Sequence, residues 1–182
     1  MILIGISGKK AAGKDVVASF IQQQLNPMSY QRIAFADALK NEVSFGMHVS
    51  VEYIEQHKDN FRLILQGWGT DYRRKLCGAD YWTKQWLYLV NRSHEELIIA
   101  PDCRFLNEIQ MIKRMNGFTI RIDRPSTAPD SHSSECELDD YQSYDYYIRN
   151  DSSLQQLKLS VNQIVQSIRN KHDNRNTNTP SA

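Results

Sequence analysis

The 182-residue sequence has little of what would staple an extracellular domain or carry a chain into a membrane. Its three cysteines, Cys77, Cys103 and Cys136, are odd in number, widely spaced and without a C-x-x-C pair. Neither a disulfide framework nor zinc is indicated, and reduced thiols in a cytoplasm are expected. No apolar run approaches membrane-spanning length, so no membrane partner is expected. The apolar start carries no basic segment ahead of it and runs straight into a glycine loop, which reads as a core strand and not as a signal peptide. A dominant charge is missing too: 22 Lys and Arg stand against 21 Asp and Glu, a net charge of +1. That leaves no broad positive field for polymeric nucleic acid. The N-x-[ST] sequons at Asn91 and Asn150 would matter only in a secreted chain. With no linker, repeat or shift in composition, the length fits one α/β domain with a sizeable core.

Glycines are few, but two of them frame the most informative segment. Gly8 to Asp15 reads G-K-K-A-A-G-K-D, the pattern G-x-x-x-x-G-K-[ST] with Asp15 where a hydroxyl is usual. Ahead of it, Met1–Ser7 is a β-branched run of the length of a buried parallel strand. Behind it, Val16, Val17, Phe20, Ile21 and Leu25 recur at helical spacing. Strand, glycine loop and helix come in the order phosphate binding requires. Gly8 and Gly13 let the N–H groups of Lys9, Lys10, Ala11 and Ala12 turn inward at phosphate oxygens, while Lys14 adds a point charge for the β- and γ-phosphates. The bland alternative is an ordinary strand-to-helix turn.

Further along, residues 32–36 read as a second strand and residues 37–45 as a helix that Asp37 can cap. Residues 51–90 read as a long helical insertion. Residues 97–100 and 118–122 read as strands around an amphipathic helix over 105–115 that is stopped by Asn116-Gly117. Residues 146–148 can supply a fifth strand, and Leu154, Leu157, Val161, Ile164, Val165 and Ile168 share one face of a last helix. Alternating strands and helices imply a parallel sheet. The Pro- and Ser-rich stretch from Arg124 to Ser134 reads as an exposed loop, and the tail from residue 172 as disordered.

Five segments in order then need one explanation: the G-K-D loop, Phe35-Ala36-Asp37-Ala38-Leu39-Lys40, Leu65-Gln66-Gly67-Trp68-Gly69-Thr70-Asp71-Tyr72-Arg73-Arg74, Asp102-Cys103-Arg104-Phe105-Leu106-Asn107-Glu108, and His132-Ser133-Ser134-Glu135. Together they resemble the deoxynucleoside monophosphate kinases of tailed bacteriophages, over about residues 1–170. The resemblance implies a three-layer α/β/α P-loop fold with a five-stranded parallel sheet. It implies a domain over 1–171 with a helical acceptor-binding insertion over 51–92, a lid over 124–137 and a tail over 172–182. It also implies a cytoplasmic enzyme that moves the γ-phosphate of ATP, with Mg²⁺, onto a dNMP for the dNTP supply of phage DNA synthesis. Asp15 would be the family's own residue. Ala11 and Ala12 depart from the Arg and Ser that relatives often carry, and Pro101 from a small or polar residue. A homodimer stays open.

The acceptor phosphate is already an anion, so catalysis would be positioning and charge neutralisation. Lys14 would bridge the ATP phosphates, Lys10 would lean over the migrating group or be a solvated lysine, and Asp15 would face Mg²⁺. Asp102, at a strand's carboxyl end, is a second metal candidate, with Arg104 placed for the acceptor or the transferring phosphate. The bland alternative makes Asp102 a cap of the following helix and leaves Arg104 and Glu108 in surface pairs. Arg73 and Arg74 would meet the 5′-phosphate, and Trp68 would stack the base or pack in the core. Gln66 would read a base edge, with Thr70, Asp37, Lys40 and Glu108 completing the acceptor pocket. Arg124 would add charge as the lid closes. Ser134 and Glu137 read as a capping box, roles for His132 and Glu135 stay open, and Asn150 would touch the adenine edge by resemblance alone.

Three rival readings remain. Asn170-Lys171-His172-Asp173 matches the guanine-reading N-K-x-D, but it ends a helix and no D-x-x-G follows the loop. A non-catalytic ATP module would not need the clustered arginines. Phosphomevalonate kinases share the G-K-D loop and H-x-S-E, and dephospho-coenzyme A kinases share the overall plan.

Overall fold

A computed structural model describes residues 1–125 and 132–177. Five strands, β1 (Ile2–Ser7), β2 (Tyr30–Arg32), β3 (Leu97–Cys103), β4 (Phe118–Asp123) and β5 (Tyr146–Arg149), form one sheet in the order β2-β3-β1-β4-β5, with every pairing parallel. Their alternation explains the layers. Ile2, Ile4 and Ile6 of β1 join Leu97 and Ile99 of β3 under α1 (Lys14–Leu25) and α9 (Leu154–Thr177). Leu3, Ile98 and Ala100 point the other way, to Trp86 and Val90 of α6 (Tyr81–Arg92) and to Ile109 and Ile112 of α7 (Leu106–Arg114). Both faces of the sheet are covered, as a parallel sheet requires.

The helical insertion lies beyond the edge of this sandwich. It starts earlier and ends sooner than residues 51–92: it holds α2 (Ala36–Met47), α3 (Val51–Gln56), α4 (Lys58–Gln66), a π-helix over Gly67–Arg74 and the short α5 (Lys75–Cys77), while α6 packs on the sheet through Trp86 and Val90. A satellite core of Val43, Ile54 and Phe61 holds it together. The last short helix, α8 (Ser133–Cys136), follows the undescribed segment.

Four further boundaries differ from those read in the sequence. β2 lies earlier than residues 32–36, because the Phe35 and Ala36 N–H groups turn to the Asp102 carboxylate and start α2, leaving Ile33 with a single bond to Ile99. Asp37 does not cap that helix; it sits in the first turn, accepts the Ala34 N–H at 2.8 Å and pairs with Arg32. The Ser134–Glu137 capping box does not form: the His132 ring accepts the Ser134 N–H, and Glu137 reaches across to the Leu106 N–H at 2.9 Å. The final helix runs on to Thr177, past the expected start of the tail, and residues 178–182 lie outside the described residues. So does much of the expected lid, residues 126–131. Among the described residues no helix is long and apolar enough to cross a membrane.

Candidate active site

The chain between β1 and α1 curls tightly at the carboxyl end of the sheet. Gly13 has φ of 98°, and a Cβ there would stand 2.6 Å from Asn150 Nδ2, while one on Gly8 would stand 2.6 Å from the Ile122 carbonyl oxygen. A side chain on Gly8 would collide with the backbone of β4, and one on Gly13 would have to hold a left-handed φ and displace the Asn150 amide. Within the curl, Lys14 Nζ donates to the Gly8 and Lys9 carbonyls at 2.7 and 2.8 Å. From outside, Asn150 Nδ2 donates to the Ala12 carbonyl at 2.9 Å and Arg124 Nη1 to the Ala11 carbonyl at 3.2 Å. Asn150 and Arg124 thus brace the loop, and the Asn150 amide is directed at Ala12, not at an open edge. Lys9 pairs with Asp139 beyond α8 at 2.6 Å, and Lys10 with Asp59 of α4 at 2.5 Å.

One cavity of about 330 Å³ joins this loop to the helical insertion. Lys10, Ala11, Lys14 and Asp15 line the loop end. Lys58, Arg62, Leu65 and Gln66 of α4 line it too, as do Phe35, Leu39 and Lys40. Lys40 is buried and ion-paired with Glu55, which also holds Lys58. The Lys58, Arg62 and Gln66 positions were legible in principle, since they step by four residues along one helix face.

The π-helix closes the far wall. Its hydrogen bonds reach one residue further than those of an α-helix, so wall residues recur every four or five. Leu65, Gly69 or Thr70, and Arg74 therefore line the cavity. Trp68 and Arg73 do not: they lie on the outer face, both bonded to Glu42. Asp37 is likewise off this cavity, held by Arg32.

Arg74 is fixed on nearly every side. Its side chain is 8% exposed, lies 3.6 Å from the Phe105 ring centroid, and pairs with Glu108 at 2.5 Å. Its Nη1 donates to the Ala79 carbonyl and to Asn107 Oδ1. Nε alone has no hydrogen-bond partner among the described residues, although it is buried. Glu108 is equally enclosed: Oε2 accepts the Arg104 and Phe105 N–H groups at 2.7 and 3.1 Å, so this is no surface pair. Burial pushes the Glu108 carboxyl up, to about 7, against the opposing pull of Arg74 and those two N–H groups. A raised carboxyl contributes stability that is full below its unfolded value and is lost as pH rises through its folded one. Glu108→Gln should therefore flatten the loss of stability between about pH 5 and pH 8, read as the urea midpoint at each pH. An unchanged slope means that Glu108 stays ionised throughout.

Asp102 also stands at the cavity, but its two oxygens accept the Phe35 and Ala36 N–H groups, each at 2.9 Å. It caps α2 from 66 and 67 residues away, not the adjacent α7. Asp15 differs: it is exposed, and among the described residues no side chain pairs with it. A hard cation would fit Asp15 with phosphate oxygens and water, because Mg²⁺ is commonly held by one or two carboxylates and the substrate phosphates. Among the described residues no cluster of three or more ligating side chains offers a closed cage. Arg104 lines the cavity from the end of β3, its guanidinium reaching the Ser134 carbonyl at 3.5 Å.

Comparison with known proteins matches the sequence of this chain to kinases. A family model described as phosphomevalonate kinase matches residues 6–118. The chain is 29% identical over 185 residues to a protein of Acanthamoeba polyphaga mimivirus named "Putative deoxynucleotide monophosphate kinase", covering 88% of this chain and 94% of that one. It is 24% identical over 181 residues to the phosphomevalonate kinase of Drosophila melanogaster, with the same coverage. Among solved structures, shikimate kinase from Aquifex aeolicus superposes with a TM-score of 0.54 over 94% of this chain and 98% of that one, at 17% identity. Shikimate kinase from Bacteroides thetaiotaomicron does so with a TM-score of 0.50, over 92% and 98%, at 15% identity. At such identities the structural likeness speaks for the fold, a three-layer P-loop architecture.

Proposed function

The chain belongs to the phosphomevalonate kinase family, and from that premise we propose that it transfers the γ-phosphate of ATP to a deoxynucleoside 5′-monophosphate, giving dNDP and ADP. The observation that supports this reading is a cavity that joins the Gly8–Asp15 loop to cationic, apolar and neutral polar side chains. ATP would lie with its phosphates in the Gly8–Asp15 curl. There Lys14 exchanges its two carbonyl contacts for the β- and γ-phosphates, and Lys10 is within reach of the migrating group. The acceptor phosphate would meet Arg104 and Arg74, whose buried Nε has no hydrogen-bond partner among the described residues, with Lys40 and Arg62 adding charge. Leu39, Leu65 and Phe35 would give a base apolar contact, and Gln66 and Thr70 are neutral polar groups able to read its edge.

No general base is required, because the attacking oxygen already carries charge. The work of the protein is to align two anions and offset their repulsion. Mg²⁺, held by Asp15 and phosphate oxygens, would supply further neutralisation of the transferring phosphate. On this reading residues 1–171 act as one cytoplasmic kinase domain that supplies dNTP precursors.

The family match favours a second acceptor, phosphomevalonate. Release of ADP, measured across all dNMPs, NMPs and mevalonate phosphate, separates the two. Turnover with a dNMP well above that with mevalonate phosphate is expected, and the reverse order moves the reading to phosphomevalonate. For the metal, Asp15→Ser should be milder than Asp15→Ala, since a hydroxyl is the usual ligand at that loop position. The measurement is the Mg²⁺ concentration for half activity, and no shift in either variant removes Asp15 from the metal.

A further inference from the structure

The far wall of the cavity depends on a helix of unusual register, and its outer face shows what holds that register. Glu42 of α2 accepts three hydrogen bonds there: from Trp68 Nε1 at 2.9 Å and Arg73 Nε at 2.8 Å, both on Oε2, and from the Tyr81 hydroxyl at 2.5 Å on Oε1. Trp68 and Arg73 belong to the π-helix and Tyr81 opens α6, so one carboxylate joins three elements. The Arg73 guanidinium lies 5.7, 5.6 and 5.0 Å from the Trp68, Tyr72 and Tyr81 ring centroids, which enclose the clasp. Burial raises the Glu42 carboxyl, but the bonds from Tyr81, Trp68 and Arg73 outweigh it and hold the group below its ordinary range. The same α2 reaches the inner face one turn earlier, where a Cβ on Gly69 would stand 2.7 Å from Leu39 Cδ2.

We propose that Glu42 is a positioning residue for the acceptor: by clasping Trp68 and Arg73 it fixes the register of Gly67–Arg74 and so sets where Thr70 and Arg74 stand in the cavity. Glu42 is not among the residues that line the cavity. Its effect passes through the π-helix, in which a slip by one residue would turn Arg73 inward and Arg74 out. The inference rests on the reading that this end of the cavity takes the acceptor.

The test compares Glu42→Ala and Glu42→Gln in the full chain. In Glu42→Ala the KM for the acceptor should rise about tenfold or more, with the KM for ATP within about twofold, since the donor loop is untouched. Glu42→Gln keeps an oxygen for Trp68 and Arg73 and an amide that Tyr81 can accept, so it should restore most of the loss. Amide hydrogen exchange over residues 67–74 should be about tenfold faster in Glu42→Ala, with β3 unchanged. A purely structural role would raise both KM values together, or lower the melting temperature with no split between them, and either result overturns the proposal, as does unchanged exchange over 67–74. If the wild-type chain phosphorylates neither a dNMP nor mevalonate phosphate, the acceptor reading falls, while the exchange measurement still decides whether Glu42 fixes the π-helix.

Discussion

Lys14→Ala should abolish phosphoryl transfer while leaving the fold intact. Lys14 is half-buried, and its ammonium is held by the Gly8 and Lys9 carbonyls of the loop, not by the core. Removing it deletes a charge aimed where the transferring phosphate gains negative charge, and loss of one such donor costs about 3–4 kcal/mol, or roughly 100- to 1000-fold in rate. The loop itself should survive. Gly8, Gly13 and the braces from Asn150 and Arg124 stay in place, so circular dichroism and the melting temperature should change little. Near-normal turnover in a folded Lys14→Ala protein would remove the loop from the chemistry.

The segment around Lys14 was legible because everything that shapes it is local. Strand, glycine spacing and helix lie within 25 residues, and each constrains the next. The alternation of strands and helices likewise gave the parallel sheet. What was not legible depends on partners far along the chain. Asp102 caps α2 through contacts 66 and 67 residues apart, which moved β2 and took both carboxylate oxygens of a residue read as a metal candidate. Asn150 reaches the loop across 138 residues.

The insertion was legible only in part, for a different reason, one of period. Of the acceptor residues read there, Gln66, Thr70 and Arg74 line the cavity, while Trp68 and Arg73 lie off it, bonded to Glu42. The π-helix lengthens the repeat, which sets Gly69, Thr70 and Arg74 on the cavity and leaves Trp68 and Arg73 off it. Tertiary clasps such as Glu42 select that register, and no local pattern announces them.

Arg74→Ala should produce the second large effect, on stability as well as on the acceptor. The substitution leaves Glu108 buried, 3% exposed, with its strongest partner gone, and breaking a buried ion pair from one side costs about 3–5 kcal/mol. Two backbone N–H groups on Oε2 soften that cost, and protonation of Glu108 offers another escape. Stability lost in Arg74→Ala should therefore be partly recovered at acid pH, and more fully in Arg74→Ala with Glu108→Gln, where no buried charge remains. The double variant is the useful one for function, because it isolates the acceptor. Loss of a charge-assisted hydrogen bond to the acceptor phosphate is worth about 1.5–3 kcal/mol, or roughly 10- to 100-fold or more in affinity. Separate titrations of an ATP analogue and of dNMP into the folded double variant should show that loss for dNMP alone. Equal loss of both ligands would point to a damaged cavity. Unchanged dNMP binding would make Arg74 a strut for the end of β3 and leave the acceptor phosphate to Arg104.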